Sequence, residues 1–408
     1  MKLILALFLA LSSVTAFSQQ IWQWRGENRH GNYPTHVNLT TWPTNGPEIV
    51  WEFEGIGNGY SSPVFTNNAF YVSGEIDTIG YIFKFDLSGK LIWKKNYGPE
   101  WTTSFRGARS TPTIADTLLY VTSGFGNLIC MSTNSGNIIW TVNSKSDLDG
   151  SYTMHGHSES VAIDNDKVFL VAGGNKHNIV ALNRFTGKII YSVPAFNERP
   201  GYNSPVIITN NNKKILVTFT AYHLIGIDCS TGQMLWSHEQ TNVPVTDRTL
   251  GNGDTHSNSI LFQNNHIYYV AGDGNCGVKL KIASDNKSVT QIWQNKKFDD
   301  FMGGFVLIDN HLYGGTTNLR DFRAVNANSG LFTDSLKIGS GNTIASGNKI
   351  IYYNQKGTVF LIEPNNGKLT KLSEFTVNKG TKEHFSHPVI FDTKLYIRHG
   401  NCILAYKL

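Results

Sequence analysis

Residues 228–236 read DCSTGQMLW, and variants of this stretch recur as SGKLIW at 88–93, SGNIIW at 135–140 and TGKIIY at 186–191. The glycine suits a turn position with positive φ, and a polar residue four positions earlier, such as Asp228 or Asn183, can cap that turn through its side chain. The aromatic residue then falls on the following strand, where it can cover the junction with the next unit. Each copy predicts a hairpin, with Trp93, Trp140 and Trp236 buried between neighbouring units.

A second signature opens each unit: a short turn, often Ser-Pro or Thr-Pro, followed by a run of apolar residues. Eight such units start at positions 63, 112, 160, 205, 259, 305, 343 and 388, so the period varies from 38 to 54 residues. Four short strands in a unit of about 45 residues are typical of a β-propeller blade. A two-sheet sandwich, the alternative for such a strand-rich chain, does not show self-similarity at this period.

The two ends of the chain complement each other. The eighth unit has three strands and ends with CILAY at 402–406, whereas EIVWEF at 48–53 resembles an isolated last strand with its tryptophan. Joining them would close the ring and remove both sheet edges. We therefore predict an all-β fold, an eight-bladed β-propeller of four-stranded antiparallel blades in which an N-terminal strand completes the last blade. Seven blades is the main alternative.

The first 18 residues have the pattern of an export signal. Met1 and Lys2 precede an apolar run over 3–11, and small residues stand at the cleavage positions up to Ser18. The run is too short to span a bilayer. We predict a signal peptide over 1–18, an N-terminal extension over 19–47 that packs on the propeller, and a single propeller over 48–408. The protein would be exported, periplasmic or secreted, without membrane insertion.

Composition and charge agree with a globular β-protein. Of 408 residues, 12% are aromatic, only 16% are charged, and 39 are glycine, which favours strands and turns over helices. The net charge of +5 is too small to indicate a nucleic-acid partner. The four cysteines, Cys130, Cys229, Cys276 and Cys402, are far apart in the sequence and form no CxxC motif, so we expect mostly buried thiols.

The turn signature resembles that of the PQQ-like β-propeller repeat family, which includes the quinoprotein alcohol dehydrogenases and the propeller lipoprotein of the outer-membrane assembly machinery. The stretch WRGENRHG at 24–31 is similar to the opening of a group of exported PQQ-like proteins, although Glu27 stands where that group often has proline. Residues 42–47, 55–63, 97–100 and 107–112 resemble the same group. The resemblance covers nearly the whole chain after residue 18 and implies a fold, not an activity.

In a propeller, the connections from one blade's outer strand to the next blade's inner strand gather at one face, around the mouth of the central channel. Long loops on a rigid scaffold commonly carry binding residues. We predict a ligand site at this mouth, formed by residues at or near the starts of the inner strands: Tyr60, Arg106, Arg109, His157, Glu159, Asp254, His256 and His387. Structural capping of strand ends, a small-molecule or peptide site, and a metal or redox site remain three alternatives for this cluster.

The resemblance also raises the question of the quinone cofactor. PQQ would need a divalent cation held by carboxylate and amide oxygens, and the dehydrogenases would predict a pair of adjacent cysteines, which is not present. We expect no cofactor and no metal, with PQQ and Ca²⁺ as an alternative, and we predict no catalytic residue. The predicted function is a non-catalytic, monomeric binding or scaffold protein that holds a protein, peptide or glycan at the mouth. The alternative is a PQQ-dependent oxidoreductase acting on an alcohol or sugar.

Overall fold

The computed structural model describes residues 21–34, 39–241, 243–271 and 276–408. The predicted signal peptide over 1–18 lies outside the described residues. Two strands precede the first blade, β1 (Ile21–Trp22) and β2 (Ile49–Glu54). The helices within the described ranges are short: α1 (Ser144–Leu148) and a 3-10 turn at Val245–Asp247. Neither of these helices could cross a membrane.

The remaining strands form eight blades in chain order. Blades 1 and 2 contain β3 (Val64–Phe65), β4 (Ala69–Ile76), β5 (Ile79–Asp86), β6 (Leu91–Pro99), β7 (Thr113–Ala115), β8 (Leu118–Thr122), β9 (Leu128–Ser132) and β10 (Ile138–Val142). Blades 3 and 4 contain β11 (Ala162–Asp164), β12 (Lys167–Val171), β13 (Ile179–Asn183), β14 (Ile189–Val193), β15 (Val206–Asn210), β16 (Lys213–Phe219), β17 (His223–Asp228) and β18 (Met234–Glu239).

The second half of the ring has the same arrangement. Blades 5 and 6 contain β19 (Leu261–Gln263), β20 (His266–Val270), β21 (Gly277–Ile282), β22 (Val289–Asn295), β23 (Val306–Ile308), β24 (His311–Gly315), β25 (Phe322–Asn326) and β26 (Phe332–Leu336). Blades 7 and 8 contain β27 (Gly341–Ser346), β28 (Lys349–Asn354), β29 (Thr358–Asn365), β30 (Lys368–Thr376), β31 (Val389–Phe391), β32 (Lys394–His399) and β33 (Cys402–Lys407).

The ring closes as predicted. β2 pairs antiparallel with β33, with Trp51 opposite Ala405 and Phe53 opposite Ile403, so the strand order in blade 8 is β2-β33-β32-β31. This pairing hides the last backbone edge of the incomplete eighth unit. The prediction of eight four-stranded antiparallel blades, with an N-terminal strand completing the last one, is confirmed.

The hydrophobic core lies between the faces of neighbouring blades. One cluster joins Val217 and Leu224 of blade 4 to Ile267 and Val278 of blade 5, and equivalent clusters occupy the other junctions. Successive side chains of a strand point to opposite faces of its blade, and each face packs against one of the two neighbouring blades. Both faces of a blade are therefore apolar. The four cysteines are buried free thiols, as expected.

The repeated turn links each blade to the next through its aromatic residue. Gly187 has a φ of 71°, and an added Cβ there would lie 2.9 Å from the Trp140 ring of the preceding blade. The Trp140 indole N–H donates to the carbonyl of Arg184 at 3.1 Å, and Trp293 does the same to Ala327. The predicted cap is present as well, because Asn183 Oδ1 accepts two backbone N–H groups of this turn.

Burial of these tryptophans is uneven. Trp236 and Trp293 are buried, at 5% and 9% exposed, whereas Trp93 and Trp140 are only half-buried. The prediction that all three of Trp93, Trp140 and Trp236 are largely buried therefore holds for Trp236 alone. Packing on the glycine turn of the next blade does not by itself set the burial, because Trp140 packs on Gly187 and is half-buried, whereas Trp293 packs on Gly330 in the same way and is 9% exposed.

Residues 21–34 pass through the centre of the ring as a loop. β1 pairs antiparallel with β7, the inner strand of blade 2, so the chain first rises toward the mouth. Asn32 then forms a parallel bridge to Ala345 in β27, so the chain descends along blade 7. Between these points it reaches blades 3, 6 and 8 through two buried arginines, Arg25 and Arg29. The N-terminal segment therefore fills the central channel.

Candidate functional site

A cavity of about 390 Å³ opens at the mouth of the ring. It combines aromatic side chains with hydroxyl groups, one arginine and two histidines. Its wall and floor consist of Trp24, Tyr60, Phe105, Arg109, Thr111, His155, Ser158, Ser160, Tyr202, Ser204, Thr255, Ser257, Phe301, Met302, Phe385 and His387. A concave, mostly apolar site with a few polar groups is the usual form of a binding pocket.

The floor of the pocket belongs to the N-terminal loop. Trp24 lies edge-on to His387, with ring centroids 4.9 Å apart. The next residue, Arg25, is 1% exposed and donates to the carbonyls of Thr343 and Phe305, both at 2.8 Å. Because Arg25 joins blades 6, 7 and 8 from inside the channel, it fixes Trp24 beneath the mouth. Within the described residues, the N-terminal loop thus lies across the channel beneath the pocket.

His387 is held in one tautomer by this arrangement. Its Nδ1 lies 3.1 Å from Arg25 Nη1, and since a guanidinium can only donate, Nδ1 is the acceptor and Nε2 carries the proton. Burial lowers the pKa of His387 well below its ordinary value, and the Arg25 charge lowers it further. The imidazole therefore faces the pocket as a neutral group.

An arc of hydroxyl groups lines the pocket at equivalent positions of successive blades. The N–H of Ser62 donates to Thr111 Oγ1 at 2.9 Å, that of Thr111 to Ser160 Oγ at 3.1 Å, and that of Ser160 to Ser204 Oγ at 3.0 Å. Each hydroxyl thus uses an acceptor site on the neighbouring backbone. No acceptor for the protons of Thr111, Ser160 or Ser204 is found among the described residues, so these protons can point into the pocket.

Arg109 supplies the positive charge of the pocket wall. Its Nη1 donates to the Gly107 carbonyl at 2.7 Å, and its Nη2 donates to the carbonyls of Ser104 and Phe105, both at 2.6 Å. These bonds fold the 104–109 loop around the guanidinium. Within the described ranges, no carboxylate forms an ion pair with Arg109. Burial lowers its pKa, against an opposing effect of Glu100.

Of the eight predicted site residues, the structure brings Tyr60, Arg109 and His387 into the pocket. Tyr60 donates from its hydroxyl to Glu383 at 2.6 Å, and its ring centroid lies 5.9 Å from the Arg109 guanidinium. Burial raises the pKa of the Tyr60 phenol, and the hydrogen bond to Glu383 raises it further. Tyr60 therefore stays neutral and connects the loops of blades 1 and 8.

The other five predicted residues do not line the pocket. Arg106 pairs with the buried Glu75 at 2.7 Å on the outer side of its loop. His157 and Glu159 are both 1% exposed. His157 Nε2 lies 3.3 Å from Glu159 Oε2, and that carboxylate oxygen accepts a hydrogen bond from the Val171 N–H at 3.0 Å.

Asp254 and His256 are also buried behind the pocket wall. Asp254 accepts from Arg199 Nε at 2.6 Å, and the His256 ring stacks on Phe219 with centroids 4.3 Å apart. His256 Nε2 lies 2.8 Å from the Ala221 carbonyl. These groups hold the loops around the mouth in place. Their side chains face the interior because the strand alternation turns them away from the channel, which position in the repeat alone does not reveal.

Sequence reasoning missed the aromatic part of the site. Trp24, Phe105, Phe301 and Phe385 were not selected, because the search for mouth residues favoured polar groups near inner strands. The ring contacts Phe105–Phe385 at 5.7 Å and Phe301–Phe385 at 6.4 Å bring three different loops together. A signal for Trp24 was present in the WRG motif at 24–26, which stood outside the repeat without an assigned role.

Comparisons with known proteins identify the family. A family model described as outer membrane protein assembly factor BamB matches residues 79–333, well over half of the chain. The chain belongs to this family of PQQ-like β-propellers. Within the described residues, no three His, Cys, Asp or Glu side chains are grouped as a metal site.

The chain is also similar to two curated quinoproteins. It is 27% identical over 155 residues to a quinoprotein ethanol dehydrogenase of Pseudomonas aeruginosa and 26% identical over 157 residues to the quinoprotein alcohol dehydrogenase PedH of Pseudomonas putida. These matches cover 34% and 35% of this chain, and 25% of each dehydrogenase. The matched stretch thus spans only a quarter of the length of these relatives.

Solved structures show the same fold. BamB from Moraxella catarrhalis has a TM-score of 0.65 at 12% identity, over 89% of this chain and 100% of that one. A europium-containing methanol dehydrogenase has a TM-score of 0.64 at 12% identity, over 93% of this chain and 90% of that one. An assembly factor and a dehydrogenase thus match the propeller about equally well, so the fold does not decide between binding and catalysis.

Proposed function

We propose that this protein is an exported, non-catalytic β-propeller that binds a partner or ligand in the pocket at its mouth. The observation that carries the proposal is a pocket of about 390 Å³ with aromatic walls and an arginine that forms no ion pair with a carboxylate among the described residues. Such a pocket can hold a ligand. The pocket also has a hydroxyl beside an imidazole, since Nδ1 of His155 in the lining lies 3.1 Å from Ser104 Oγ, and that hydroxyl oxygen accepts from the Trp101 indole N–H at 3.4 Å.

The alternative is a quinoprotein oxidoreductase, for which the partial similarity to ethanol dehydrogenases is the argument. PQQ-type chemistry needs a divalent cation held by carboxylate and amide oxygens. Among the described residues that line the pocket there is no Asp, Glu, Asn or Gln. Three nearby carboxylates accept from protein groups: Glu75 pairs with Arg106, Glu100 accepts from Tyr97 and two backbone N–H groups, and Glu383 accepts from Tyr60. Asp300, next to Phe301, has an oxygen without a hydrogen-bond partner among the described residues, but its side chain does not line the pocket. The pocket does not fit a cation-bound quinone.

A thermal-shift measurement tests the alternative directly. Purified protein would be heated with and without PQQ and Ca²⁺, because a bound ligand raises the melting temperature by mass action. We expect no shift. A rise in melting temperature that disappears in an Arg109→Gln variant would overturn the proposal in favour of the quinoprotein function.

Photo-crosslinking in exporting cells tests the proposal itself. A photoreactive amino acid would replace Phe105 at the pocket, and Phe185 would serve as the control site. The two side chains are similarly exposed, at 44% and 50%, but Phe185 lies in the hairpin turn after β13, on the face opposite the mouth. We expect a discrete adduct from position 105 and none from position 185. Equal or absent adducts at both positions would contradict a binding site at the mouth.

A further inference from the structure

We propose that the mouth pocket recognises the C-terminal carboxylate of a polypeptide whose last side chain is apolar or aromatic. This inference rests on the proposed binding function and specifies its ligand. It is drawn from three features of the pocket: the charge of Arg109, the protons of the hydroxyl arc, and the aromatic walls that continue onto the surface.

The positive charge of Arg109 in the pocket favours an anionic ligand. Arg109 has five N–H donors, of which three bond to loop carbonyls, so Nε–H and one Nη1 proton have no acceptor in the described part of the chain. Glu100 acts on Arg109 only through space, and a partly buried guanidinium without a carboxylate in direct contact gains most from one, because charge-assisted hydrogen bonds are the stronger kind. The side chains that line the pocket carry no negative charge to compete with such a ligand.

The hydroxyl arc gives the anion further donors. Thr111, Ser160 and Ser204 each accept one backbone N–H, which leaves each O–H proton to be donated. A carboxylate has two oxygens and about four acceptor positions. Arg109 and Thr111 lie at the start of blade 2, and Ser160 and Ser204 lie at the starts of blades 3 and 4, so the cavity offers a carboxylate one charged donor with hydroxyl donors along the same wall.

The aromatic walls of the pocket favour a ligand with an apolar group next to its carboxylate. Phe105, Phe301 and Phe385 form a chain of ring contacts along one side, and Trp24 forms the floor. An apolar or aromatic side chain would bury its surface against these rings. A glycan would have to satisfy many hydroxyls against mostly apolar walls and is therefore disfavoured.

The surface around the pocket indicates a chain and not a small free acid. Exposed apolar side chains stand on the neighbouring mouth loops, including Tyr152, Met154 and Leu250, at 39%, 49% and 53% exposed. Tyr152 contacts Phe125, and Met154 packs against Gly251 in the next loop. Apolar patches of this kind commonly mark protein-binding surfaces. The residues that precede a bound C-terminus could cover these exposed apolar side chains, whereas a small acid in the pocket would leave them exposed to water.

Fluorescence-labelled peptides of six residues test the inference. One peptide would end in Phe with a free carboxylate, a second would be its C-terminal amide, and a third would end in Lys. We expect the free acid ending in Phe to bind at least about tenfold more tightly than its amide, which is the effect of about one charged hydrogen bond. Because this comparison changes only the peptide, it does not depend on the folding of a variant.

Protein variants test whether Arg109 causes the preference for the free acid over the amide. Arg109→Gln should abolish the preference for the free acid, whereas Arg320→Gln, which removes an exposed charge from a loop on the same face, should retain it. Equal binding of acid and amide, or a preference unaffected by Arg109→Gln, would overturn the inference. Binding of phenylpropionate as tightly as the peptide would overturn the polypeptide assignment, and binding of an oligosaccharide in place of the peptides would overturn the ligand class.

The outcome also separates the two proposals. If no peptide binds but the adduct at position 105 persists in cells, the carboxylate inference fails and the binding function stands. If neither peptide binding nor the adduct is observed, the binding function itself fails.

Discussion

Arg25 Nη1 lies 3.1 Å from Nδ1 of His387, which joins the N-terminal loop inside the channel to the start of the eighth blade. The same guanidinium binds carbonyls of blades 6 and 7. One buried side chain thus connects three blades that adjoin in the ring, at the depth where the pocket begins. The site and the closed ring are therefore coupled through the same residue.

Arg25→Met should destabilise the fold strongly. The substitution leaves the carbonyls of Thr343 and Phe305 buried without their donor, at a cost of about 1.5–3 kcal/mol for each charged hydrogen bond lost. We expect a clear fall in the midpoint of urea denaturation. Arg320→Met, which removes an exposed arginine, is the matched control and should change little. Similar midpoints for both variants would mean that the N-terminal loop does not hold the ring.

The turn glycines give a test of the contact between blades. Gly187→Ala places a Cβ 2.9 Å from the Trp140 ring at a φ of 71°, whereas Gly347→Ala has a φ of 58° and open space around the new Cβ. Both substitutions place an alanine in the left-handed region of backbone conformation, which lowers the stability by about 1–2 kcal/mol. Only the first displaces the tryptophan, so we expect Gly187→Ala to lower the melting temperature more. Equal losses would show that the Trp140 contact contributes nothing.

The unequal burial of the tryptophans predicts unequal costs. Trp236→Ala removes a side chain that is 5% exposed and packed in the cluster of blades 4 and 5, and should cost about 3–5 kcal/mol. Trp140→Ala should cost less, because half-buried Trp140 loses less apolar contact area. Chemical denaturation measures both. A larger loss for Trp140→Ala would assign the stability to its hydrogen bond with Arg184 and not to burial.

Asp300 predicts a pH dependence of stability. Burial raises its pKa to about 8, with a further rise from Asp299. The folded protein therefore keeps this proton up to about pH 8, whereas the unfolded chain loses it near pH 4. Since the unfolded state binds fewer protons in this window, the contribution of Asp300 to stability falls as pH rises from about 4 to 8.

Asp300→Asn should remove this dependence. Relative to the unmodified protein, the variant should gain melting temperature progressively from pH 4 to pH 8. Asp392→Asn, at an exposed turn with a φ of 55° that asparagine tolerates, is the control and should show no such trend. A constant difference between Asp300→Asn and the unmodified protein across this range would mean that Asp300 ionises normally in the folded state.

The repeat predicted the architecture because each blade is formed by one continuous segment of about 45 residues. The sequence of that segment shows the turns, the strand lengths and the positions of the aromatic residues. Closure by residues 48–53 could be predicted for the same reason, since one strand was missing from the last unit and present before the first. The route of Trp24 and Arg25 through the channel could not be predicted, because Arg25 donates to backbone carbonyls of distant blades, and a backbone carbonyl leaves no signal in the sequence.

The site was predicted only in part for a similar reason. Tyr60, Arg109 and His387 lie just before an inner strand and line the pocket. Glu159 and His256 also lie just before an inner strand, but their side chains are buried in the interior. A shift of one residue along a strand reverses the face on which a side chain lies. The direction of each side chain depends on that register, which the spacing of the repeats does not specify to a single residue.

The central claim is that Arg109 binds a ligand, in addition to holding its own loop, and contributes little to the stability of the propeller. Its carbonyl partners belong to the 104–109 loop, where Phe105 is 44% exposed and Ser104 is partly exposed, so water can replace these two bonds, whereas Gly107 is buried. The decisive measurement is the yield of the adduct from position 105, taken together with the melting temperature, in Arg109→Gln. We predict that the adduct is lost while the melting temperature stays nearly unchanged. A large fall in melting temperature with the adduct retained would contradict the claim and assign Arg109 a structural role.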